Sequence, residues 1–422
     1  MEVFDIFTPG QYPEYTYVER GRGQYEKNLE WEINKPSAIV SINGPSKSGK
    51  SMLLKNVIDD SGYNLIEVRG SEISSSEDLW SKVLDKLGEP ENREVVDSET
   101  ESSTKEAGIR SSLFNIGGSS SEEETEEEVD VHGRKGLSQV MKKVDLDEFV
   151  LFIDDAHYID KNYHKEISES IKNAFENGMK VCGAYIPHRS DDLMRANPDL
   201  SGRVDTITLE YWGIDDLMEI AQKGFNKLNM VVEEETIRNF AEESIGSPHL
   251  MQKLCLELCK EKRIRESFNE ETSVDVCRGE LKSVLRNTAD GFNDQAKIFE
   301  LISGDVSKRG RKGRKNYDLS EEEEADIYGV LLRAIAENPP KLSYDYSELT
   351  RRVKDICGES KPKSGNLTQA IARIDQWMDD SDFRSYKLEW LSDTKNLKIP
   401  DPYLIFYLRW SNKLDFEPEL RY

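Results

Sequence analysis

The sequence contains the stretch Gly44-Pro45-Ser46-Lys47-Ser48-Gly49-Lys50-Ser51, directly after the apolar, β-branched run Ala38–Ile42 and at the start of a run with helical spacing, Lys50–Ile58. A strand, a Gly-x4-Gly-Lys-Ser loop and a helix in this order are typical of a phosphate-binding loop. The glycines let backbone N–H groups converge on a phosphate, and the helix N-terminus adds partial positive charge. The stretch therefore predicts a P-loop that binds a nucleoside triphosphate.

Individual residues of this loop have predicted roles. Lys50 is expected to reach the β- and γ-phosphates, and the Ser51 hydroxyl is expected to ligate Mg²⁺. Chance matches to the pattern occur, but the flanking strand and helix favour binding of ATP or ADP with Mg²⁺. The predicted nucleotide-contacting residues of the loop are Gly44, Pro45, Ser46, Lys47, Ser48, Gly49, Lys50, Ser51 and Met52.

A second apolar run, Phe149–Ile153, ends abruptly in the pair Asp154-Asp155. Ligands bind at the carboxyl edge of parallel sheets, where such a pair would lie. We predict that Asp154 holds Mg²⁺ through its coordinated water and that Asp155 orients or deprotonates an attacking water. The alternative is that the pair only caps the next helix. Because the loop and the acidic pair occur together, we expect a Mg²⁺-dependent ATPase.

Three further polar residues are candidates for the same site. His157 follows the acidic pair and either senses the γ-phosphate or bonds nearby backbone. Arg189 follows the run Lys180–Ile186 and Arg203 lies in Leu-Ser-Gly-Arg-Val, so each is a candidate to stabilise phosphate charge, in cis or across a subunit interface. The alternative for both arginines is a surface or salt-bridged role.

Periodicity predicts the fold class. Apolar runs at 38–42, 64–68, 149–153, 180–186 and 205–209 alternate with helical segments, which indicates an α/β P-loop NTPase with a parallel sheet between helices. Helical spacing at 215–227, 233–243 and 248–262 predicts a helical domain. Helices at 322–336, 346–356 and 366–378, followed by strand-like runs at 386–391 and 397–399, predict a C-terminal winged helix-turn-helix. Residues 401–410 are expected to form a packed core helix.

These segments suggest a division into an N-terminal nucleotide-contacting segment, an ATPase core, a helical domain, a basic linker and a winged-helix domain: 1–34, 35–212, 213–305, 306–318 and 319–422. Within the core, residues 90–131 are rich in Ser and Glu and predict a flexible acidic insertion. This insertion is either a solvated loop or a docking site for a basic partner.

Composition excludes some functions. The 422 residues carry a formal charge of −25, which argues against a protein coated in nucleic acid. The basic stretch 308–315 is the exception, and it is either a flexible linker or an arm that contacts DNA beside the winged helix. The five cysteines lack metal-ligand spacing and predict reduced core thiols. No apolar stretch is long enough to span a membrane, so a cytoplasmic location is expected.

Three motifs resemble the STAND branch of AAA+-like P-loop ATPases, a class of signalling ATPases. Arg20-Gly-Arg22 resembles the N-terminal Gly-Arg-Glu segment, Asp154-Asp-Ala-His157 resembles the acidic motif, and Gly246-Ser-Pro248 resembles the Gly-x-Pro motif. The resemblance implies that Arg22 contacts the adenine side of the nucleotide and that Pro248 lies near ADP in the closed state. In the segment that contains Arg22, the acidic residue is at a different spacing from that of the family's Gly-Arg-Glu motif.

The chain also resembles a group of prokaryotic AAA-family ATP-binding proteins, over nearly everything except the acidic insertion. The resemblance is carried by Tyr185-Ile-Pro-His-Arg189, Ser247-Pro-His-Leu-Met-Gln252 and the segment 399–410. It implies a regulatory role, including antiviral defence. Because the chain has neither a recognisable effector nor a repeat region, the resemblance implies a separate effector or sensor protein as partner.

The main hypothesis is a nucleotide-dependent switch, with an open, homo-oligomeric form favoured by ATP and a closed form favoured by ADP. Two alternatives stay open at this point. One is a DNA-binding regulator or transposition-type ATPase that uses the basic stretch and the winged helix. The other is a scaffold that binds nucleotide without hydrolysing it.

Overall fold

The computed structural model describes residues 1–88, 92–95, 130–133, 136–186, 193–195, 197–304, 315–319, 323–379, 381, 388–414 and 418–420, with backbone only at 92–95, 130–133, 195 and 364. Arg189, most of the acidic insertion, and residues 308–314 of the basic stretch lie outside the described residues, so those predictions stay untested.

The first part of the chain alternates strands and helices. Its elements are α1 (Val3–Ile6), α2 (Gln24–Ile33), β1 (Ala38–Asn43), α3 (Lys50–Ser61), β2 (Asn64–Arg69), α4 (Ser76–Lys86), β3 (Asn92–Val95), β4 (Asp130–Gly133), α5 (Leu137–Lys143), β5 (Phe149–Asp154), α6 (Lys161–Glu176), β6 (Lys180–Tyr185) and β7 (Val204–Thr208).

The second part is mostly helical. Its elements are α7 (Ile214–Lys227), β8 (Met230–Val231), α8 (Glu234–Glu243), α9 (Pro248–Glu261), β9 (Thr272–Ser273), α10 (Arg278–Asp290), α11 (Asn293–Ser303), β10 (Asn316–Asp318), β11 (Glu324–Asp326), α12 (Ile327–Ala336), β12 (Ser343–Asp345), α13 (Tyr346–Cys357), α14 (Ser364–Asp379), β13 (Glu389–Leu391), β14 (Asn396–Lys398) and α15 (Pro402–Trp410).

Five parallel strands form the central sheet in the order β2-β5-β6-β1-β7. Apolar side chains cover both faces, with α4 and α6 on one and α2 and α3 on the other. Parallel strands buried on both faces require such continuous apolar runs. The predicted parallel α/β fold with a helical C-terminal region is confirmed. All five carboxyl ends lie at one edge, and in register Arg69 of β2 pairs with Asp154 of β5.

The C-terminal module, defined here as residues 214–410, shares one hydrophobic core from α7 to α15. A buried ion pair joins α8 to α15 within the module. The Arg409 guanidinium donates to the Glu243 carboxylate, with 2.8 Å between Nε and Oε2 and 2.6 Å between Nη2 and Oε1. The Trp410 indole N–H donates to the same Oε2 at 2.7 Å. All of α15 is buried, which confirms the predicted core helix.

The N-terminal residues pack on this module rather than on the neighbouring sheet. Val3, Ile6, Phe7 and Val18 belong to the module core, and the Phe7 ring lies 5.3 Å from the Phe225 ring. The backbone N–H of Val3 donates to Arg265 O at 2.9 Å. Residues 1–18 therefore form a strap, and the chain crosses between the strap or module and the predicted ATPase core twice, at residues 19–23 and at residues 209–213.

The structure corrects several element predictions. The extended start contains α1, and α10 and α11 were not predicted. The helix expected from Glu322 begins at Ile327, because Glu324–Asp326 pairs with β10 and Asp326 caps the helix through the N–H groups of Tyr328 and Gly329. At the borders of the insertion, β3 and β4 form an antiparallel ladder.

Four cysteines are buried free thiols, but Cys277 is exposed, so the core-thiol prediction was wrong for that residue.

Among the described residues, no helix combines the length and the apolar character needed to cross a bilayer.

Candidate nucleotide site

The P-loop is a tight turn between β1 and α3. Gly49 lies in the left-handed region with φ +94°, and Lys47 does so with φ +60°. A methyl group on Gly44 would lie 2.9 Å from Leu209 Cβ and 3.0 Å from Ser48 Oγ, so a side chain does not fit there. The glycines are thus needed at these positions for backbone conformation and for space.

Lys50 lies folded into the loop. Its ammonium group donates to the carbonyls of Gly44 at 3.1 Å and Pro45 at 2.8 Å, and the residue is 6% exposed. Burial lowers the pKa of Lys50, while the nearby Asp155 and Asp154 carboxylates oppose that shift. The loop therefore holds a desolvated cation at the point where phosphates are expected.

The acidic pair lies beside the loop. Ser51 Oγ donates to Asp154 Oδ2 at 2.8 Å, which brings together the two predicted Mg²⁺ ligands. The Asp155 N–H donates to Asp154 Oδ1 at 3.0 Å. Although 52% of its side chain is exposed, partial desolvation, and then the charge of Asp154, raises the pKa of Asp155, against the opposing charges of Lys50 and Arg69.

The donor set fits a nucleotide with Mg²⁺. Ser48 Oγ is buried in the loop and has no hydrogen-bond partner among the residues that the structure describes, so it is free to bond a ligand there. A hydroxyl and a carboxylate oxygen are ligands that Mg²⁺ prefers, usually together with water and phosphate oxygens. Ser51 and Asp154 are the residues that would hold the ion.

Aromatic side chains surround a buried arginine on another wall of the pocket. The Arg20 guanidinium lies 5.0 Å from the Tyr25 ring centroid and 4.6 Å from that of Trp212. The Trp212 indole donates to Ser48 O at 2.8 Å and so contacts the P-loop. Arg22, which the resemblance implied on the adenine side, is exposed, and Arg20 lines the pocket instead.

The pocket has a volume of about 390 Å³ and is bounded by three parts of the chain. The ATPase core supplies the P-loop and the acidic pair. The strap supplies Thr8 and Pro9, and the C-terminal module supplies Pro248, Gln252 and Asp401. Pro248, predicted near the nucleotide, thus lies at the pocket, and the strap is tied to the module there by the Thr8 N–H, which donates to Gln252 Oε1 at 2.7 Å.

The P-loop also touches the end of the module. Lys47 Nζ lies 3.6 Å from Asp401 Oδ1 and 3.4 Å from the Tyr403 ring centroid. Asp401 is 4% exposed at its side chain, accepts from Gln295 Nε2 at 2.7 Å and caps α15 through the Tyr403 N–H at 3.1 Å. Sequence reasoning missed this role for Asp401, although Asp-Pro before an apolar helix is a recognisable cap signal.

The remaining candidates that the structure describes, Arg203 and His157, have surroundings different from those of the P-loop residues. Arg203 pairs with Glu176 at 3.2 Å on the surface and is not among the residues lining the pocket. His157 has a buried side chain; its Nδ1 lies 4.0 Å from Asp155 Oδ1, and its ring packs on Tyr158.

His249, at the pocket wall, gives a prediction for stability. Its ring hydrogen-bonds the Tyr403 hydroxyl. Burial lowers the pKa of His249 to about 4, and the charges of Lys253 and Lys47 contribute. Between that value and about pH 6.5 the unfolded chain binds more protons than the folded one, so stability is lost as pH falls through this window. We expect His249→Gln to flatten the pH dependence of the urea midpoint there; an unchanged slope would contradict the burial argument.

Comparison with known proteins agrees with this architecture. Residues 40–205 match the model of the family described as ATPase family associated with various cellular activities (AAA). No curated protein sequence is significantly similar to the chain. The Walker-type ATPase of Pyrococcus abyssi has the same fold, with a TM-score of 0.51 and 15% identity over 96% of this chain and 99% of that one.

Two other solved structures are more distant. They are the RuvB Holliday junction branch migration motor of Thermotoga maritima (TM-score 0.43, 11% identity, 93% of this chain and 95% of that one) and Cdc6p of Pyrobaculum aerophilum (TM-score 0.43, 11% identity, 96% and 97%). Residues 40–205, which include the P-loop and the acidic pair, are therefore similar to the AAA family of ATPases.

Proposed function

We propose that this chain is an ATP-hydrolysing switch of the STAND type, in which the nucleotide lies between the ATPase core and the C-terminal module and controls how the two are arranged. The observation that supports this proposal is the ion pair between Lys47 and Asp401, with 3.6 Å between Nζ and Oδ1. Lys47 belongs to the P-loop, where phosphates are expected to bind, and Asp401 belongs to the C-terminal module. In this proposal α12–α14, β13 and β14 form a winged helix.

The proposed chemistry uses the residues of the core. Lys50 leaves the Gly44 and Pro45 carbonyls and pairs with the β- and γ-phosphates. Ser51 and Asp154 would hold Mg²⁺, and the bound ion would supply positive charge that neutralises the phosphates. Asp155 orients a water whose oxygen forms the new bond to the γ-phosphorus, and it accepts the water's proton while the bond to the β-phosphate oxygen breaks.

The proposed switch uses Lys47. ATP brings additional negative charge to the loop, which draws Lys47 away from Asp401 and favours an open form that assembles into homo-oligomers. ADP leaves the contact in place and favours the closed form. A separate effector or sensor protein reads the open form, in a regulatory setting such as antiviral defence.

Asp401→Asn tests the closing contact. Asparagine keeps the α15 cap, since its carbonyl oxygen accepts from the Tyr403 N–H, but removes the charge that holds Lys47. We expect bound ADP to dissociate up to about fivefold faster, because a partly exposed ion pair contributes at most about 1 kcal/mol. Stopped-flow release of a fluorescent ADP analogue measures this rate, and small-angle scattering should report a larger radius of gyration.

The matched control is Lys55→Met. Lys55 is as exposed as Lys47, at 30% against 31%, and is paired at 2.9 Å, but its partner Glu67 lies within the ATPase core. Lys55→Met should leave ADP release and the scattering profile unchanged, whereas Lys47→Met should reproduce Asp401→Asn. Equal release rates in Asp401→Asn and wild type would refute the closing contact.

Turnover separates the switch from its rivals. We expect Mg²⁺-dependent hydrolysis by wild type, and we expect Asp155→Asn to bind ATP, to lose turnover about a hundredfold or more and to accumulate a larger assembly in light scattering. Turnover that requires duplex DNA, without assembly, would favour a DNA-binding winged-helix ATPase. Binding without any turnover would favour a scaffold.

A further inference from the structure

Two strand ends lie side by side behind the acidic pair. Arg69, the last residue of β2, is in register with Asp154, the last residue of β5. A short 3-10 turn follows each strand, Gly70–Glu72 after β2 and Ala156–Tyr158 after β5. The backbone of Gly70 therefore borders the backbone that carries Asp155.

Gly70 is in contact with that backbone. A Cβ atom placed on Gly70 would lie 2.8 Å from Ala156 Cα, 2.9 Å from the Asp155 carbonyl carbon, and closer still to the Asp155 carbonyl oxygen. Real Cβ atoms essentially never approach other atoms within 3.0 Å, and here the neighbours are main-chain atoms that cannot rotate away. Because the φ of Gly70 is not in the left-handed region, the glycine is needed for space rather than for conformation.

The conformation of Asp155 depends on this neighbourhood. Asp155 has φ +51°, a left-handed conformation that most non-glycine residues avoid and that Asp and Asn adopt occasionally. Its carbonyl oxygen, the atom nearest to Gly70, accepts from the Tyr158 N–H at 3.0 Å. Its side chain is 52% exposed, so packing restrains it little, and the backbone sets the direction of the Cα–Cβ bond from which the carboxylate extends.

We propose that Gly70 is a positioning residue for hydrolysis. Because Gly70 has no Cβ atom, its backbone can contact the turn at Asp155–Ala156, and this backbone contact orients the Asp155 carboxylate toward the attacking water. The inference rests on the proposed ATPase function. It adds a residue from the turn after β2, a part of the chain that contributes neither to the P-loop nor to the acidic pair.

The test is a double-mutant cycle in the full-length chain. Gly70→Ala should lower kcat for Mg²⁺-ATP by about tenfold to a hundredfold, since misplacing a catalytic group by about 1 Å costs that much, and should leave KM and ADP binding within about threefold of wild type. Asp155→Asn keeps the left-handed backbone, because asparagine tolerates it. In the Asp155→Asn background, Gly70→Ala should cause no further loss.

Two more variants make the outcome decisive. Gly365→Ala adds a methyl group into open space and is the control for glycine replacement as such; it should not change kcat. Ala156→Gly removes the Cβ atom of Ala156 and makes the same turn more flexible without introducing a clash. It therefore tests the backbone contact between Gly70 and the turn even if Gly70→Ala folds poorly. It should lower kcat about threefold to tenfold, again only when Asp155 is present.

The outcomes distinguish the two proposals. Suppose that Gly70→Ala, or Ala156→Gly, lowers kcat by the same factor with and without the Asp155 carboxylate. The variant would then disrupt the site generally, and the positioning role of Gly70 would be refuted. Unchanged kcat in both variants would also overturn it, while loss of turnover in Asp155→Asn kept the ATPase proposal intact. Wild-type turnover in Asp155→Asn would instead remove the catalytic role of Asp155.

Discussion

Lys50→Ala is expected to abolish ATP turnover and to weaken nucleotide binding by about a hundredfold, because a charged donor to phosphate contributes about 3 kcal/mol and each 1.4 kcal/mol is a tenfold change in affinity. The ammonium group is the buried cation of the P-loop and lies within reach of its carbonyls. Isothermal titration with ADP and with a non-hydrolysable ATP analogue measures the affinity, and phosphate release measures the turnover.

Lys55→Ala serves as the matched control, since it removes a lysine from the same helix without touching the pocket-lining residues. Its turnover should equal that of wild type. Thermal unfolding without nucleotide checks folding: Lys50→Ala removes hydrogen bonds to two backbone carbonyls and a charge near Asp154 and Asp155, so its midpoint should stay within a few degrees of that of Lys55→Ala. Full turnover by Lys50→Ala would mean that the site of hydrolysis is not this loop.

Arg409→Ala is expected to destabilise the chain by about 3 to 5 kcal/mol, the usual result of leaving one charge of a buried pair uncompensated. Arg409 is 1% exposed, and the Glu243 carboxylate would keep only the Trp410 indole as donor among the partners described here. Urea unfolding, followed by circular dichroism and by tryptophan fluorescence, measures the loss.

Two variants check the cause. Arg333→Ala removes an i,i+4 ion pair with Glu337 whose side chains are 20% and 32% exposed, and should cost about 1 kcal/mol, well below the loss expected for Arg409→Ala. The double replacement of Arg409 by Met and Glu243 by Leu should recover much of the stability, because an apolar pair avoids the cost of burying charge. A loss in Arg409→Ala no larger than that in Arg333→Ala would show that the pair does not hold α8 against α15.

The parallel sheet could be predicted from the sequence because each strand is a short apolar run between helical segments, a pattern that local reading detects. The element borders at β11 and α12 could not. Glu322–Asp326 looks like a helical first turn, and only its pairing with β10 makes Glu324–Asp326 a strand. Likewise, α1 is too short to show periodicity and is fixed by its packing on the module core.

In the candidate site, the P-loop and the acidic pair were found by motif, because their chemistry requires a fixed order of residue types. Arg20, Trp212 and Asp401 carry no such pattern, since each reaches the pocket from a distant part of the chain. The choice of Arg20 over Arg22 depends on which side chain is buried between two rings. That information lies in three-dimensional packing and not in spacing.

The two crossings between the ATPase core and the module restrict how the parts can move. A body attached through one linker can swivel about it, but one attached at residues 19–23 and again at 209–213 can rotate freely only about the line that joins the attachments. Arg20 ties these points together, because its guanidinium donates to Glu210 O at 2.8 Å. An opening of the pocket should therefore be a rotation about this single axis, in which the strap moves with the module and the hydrogen bond from the Tyr12 hydroxyl to Asn56 Oδ1 on α3 breaks.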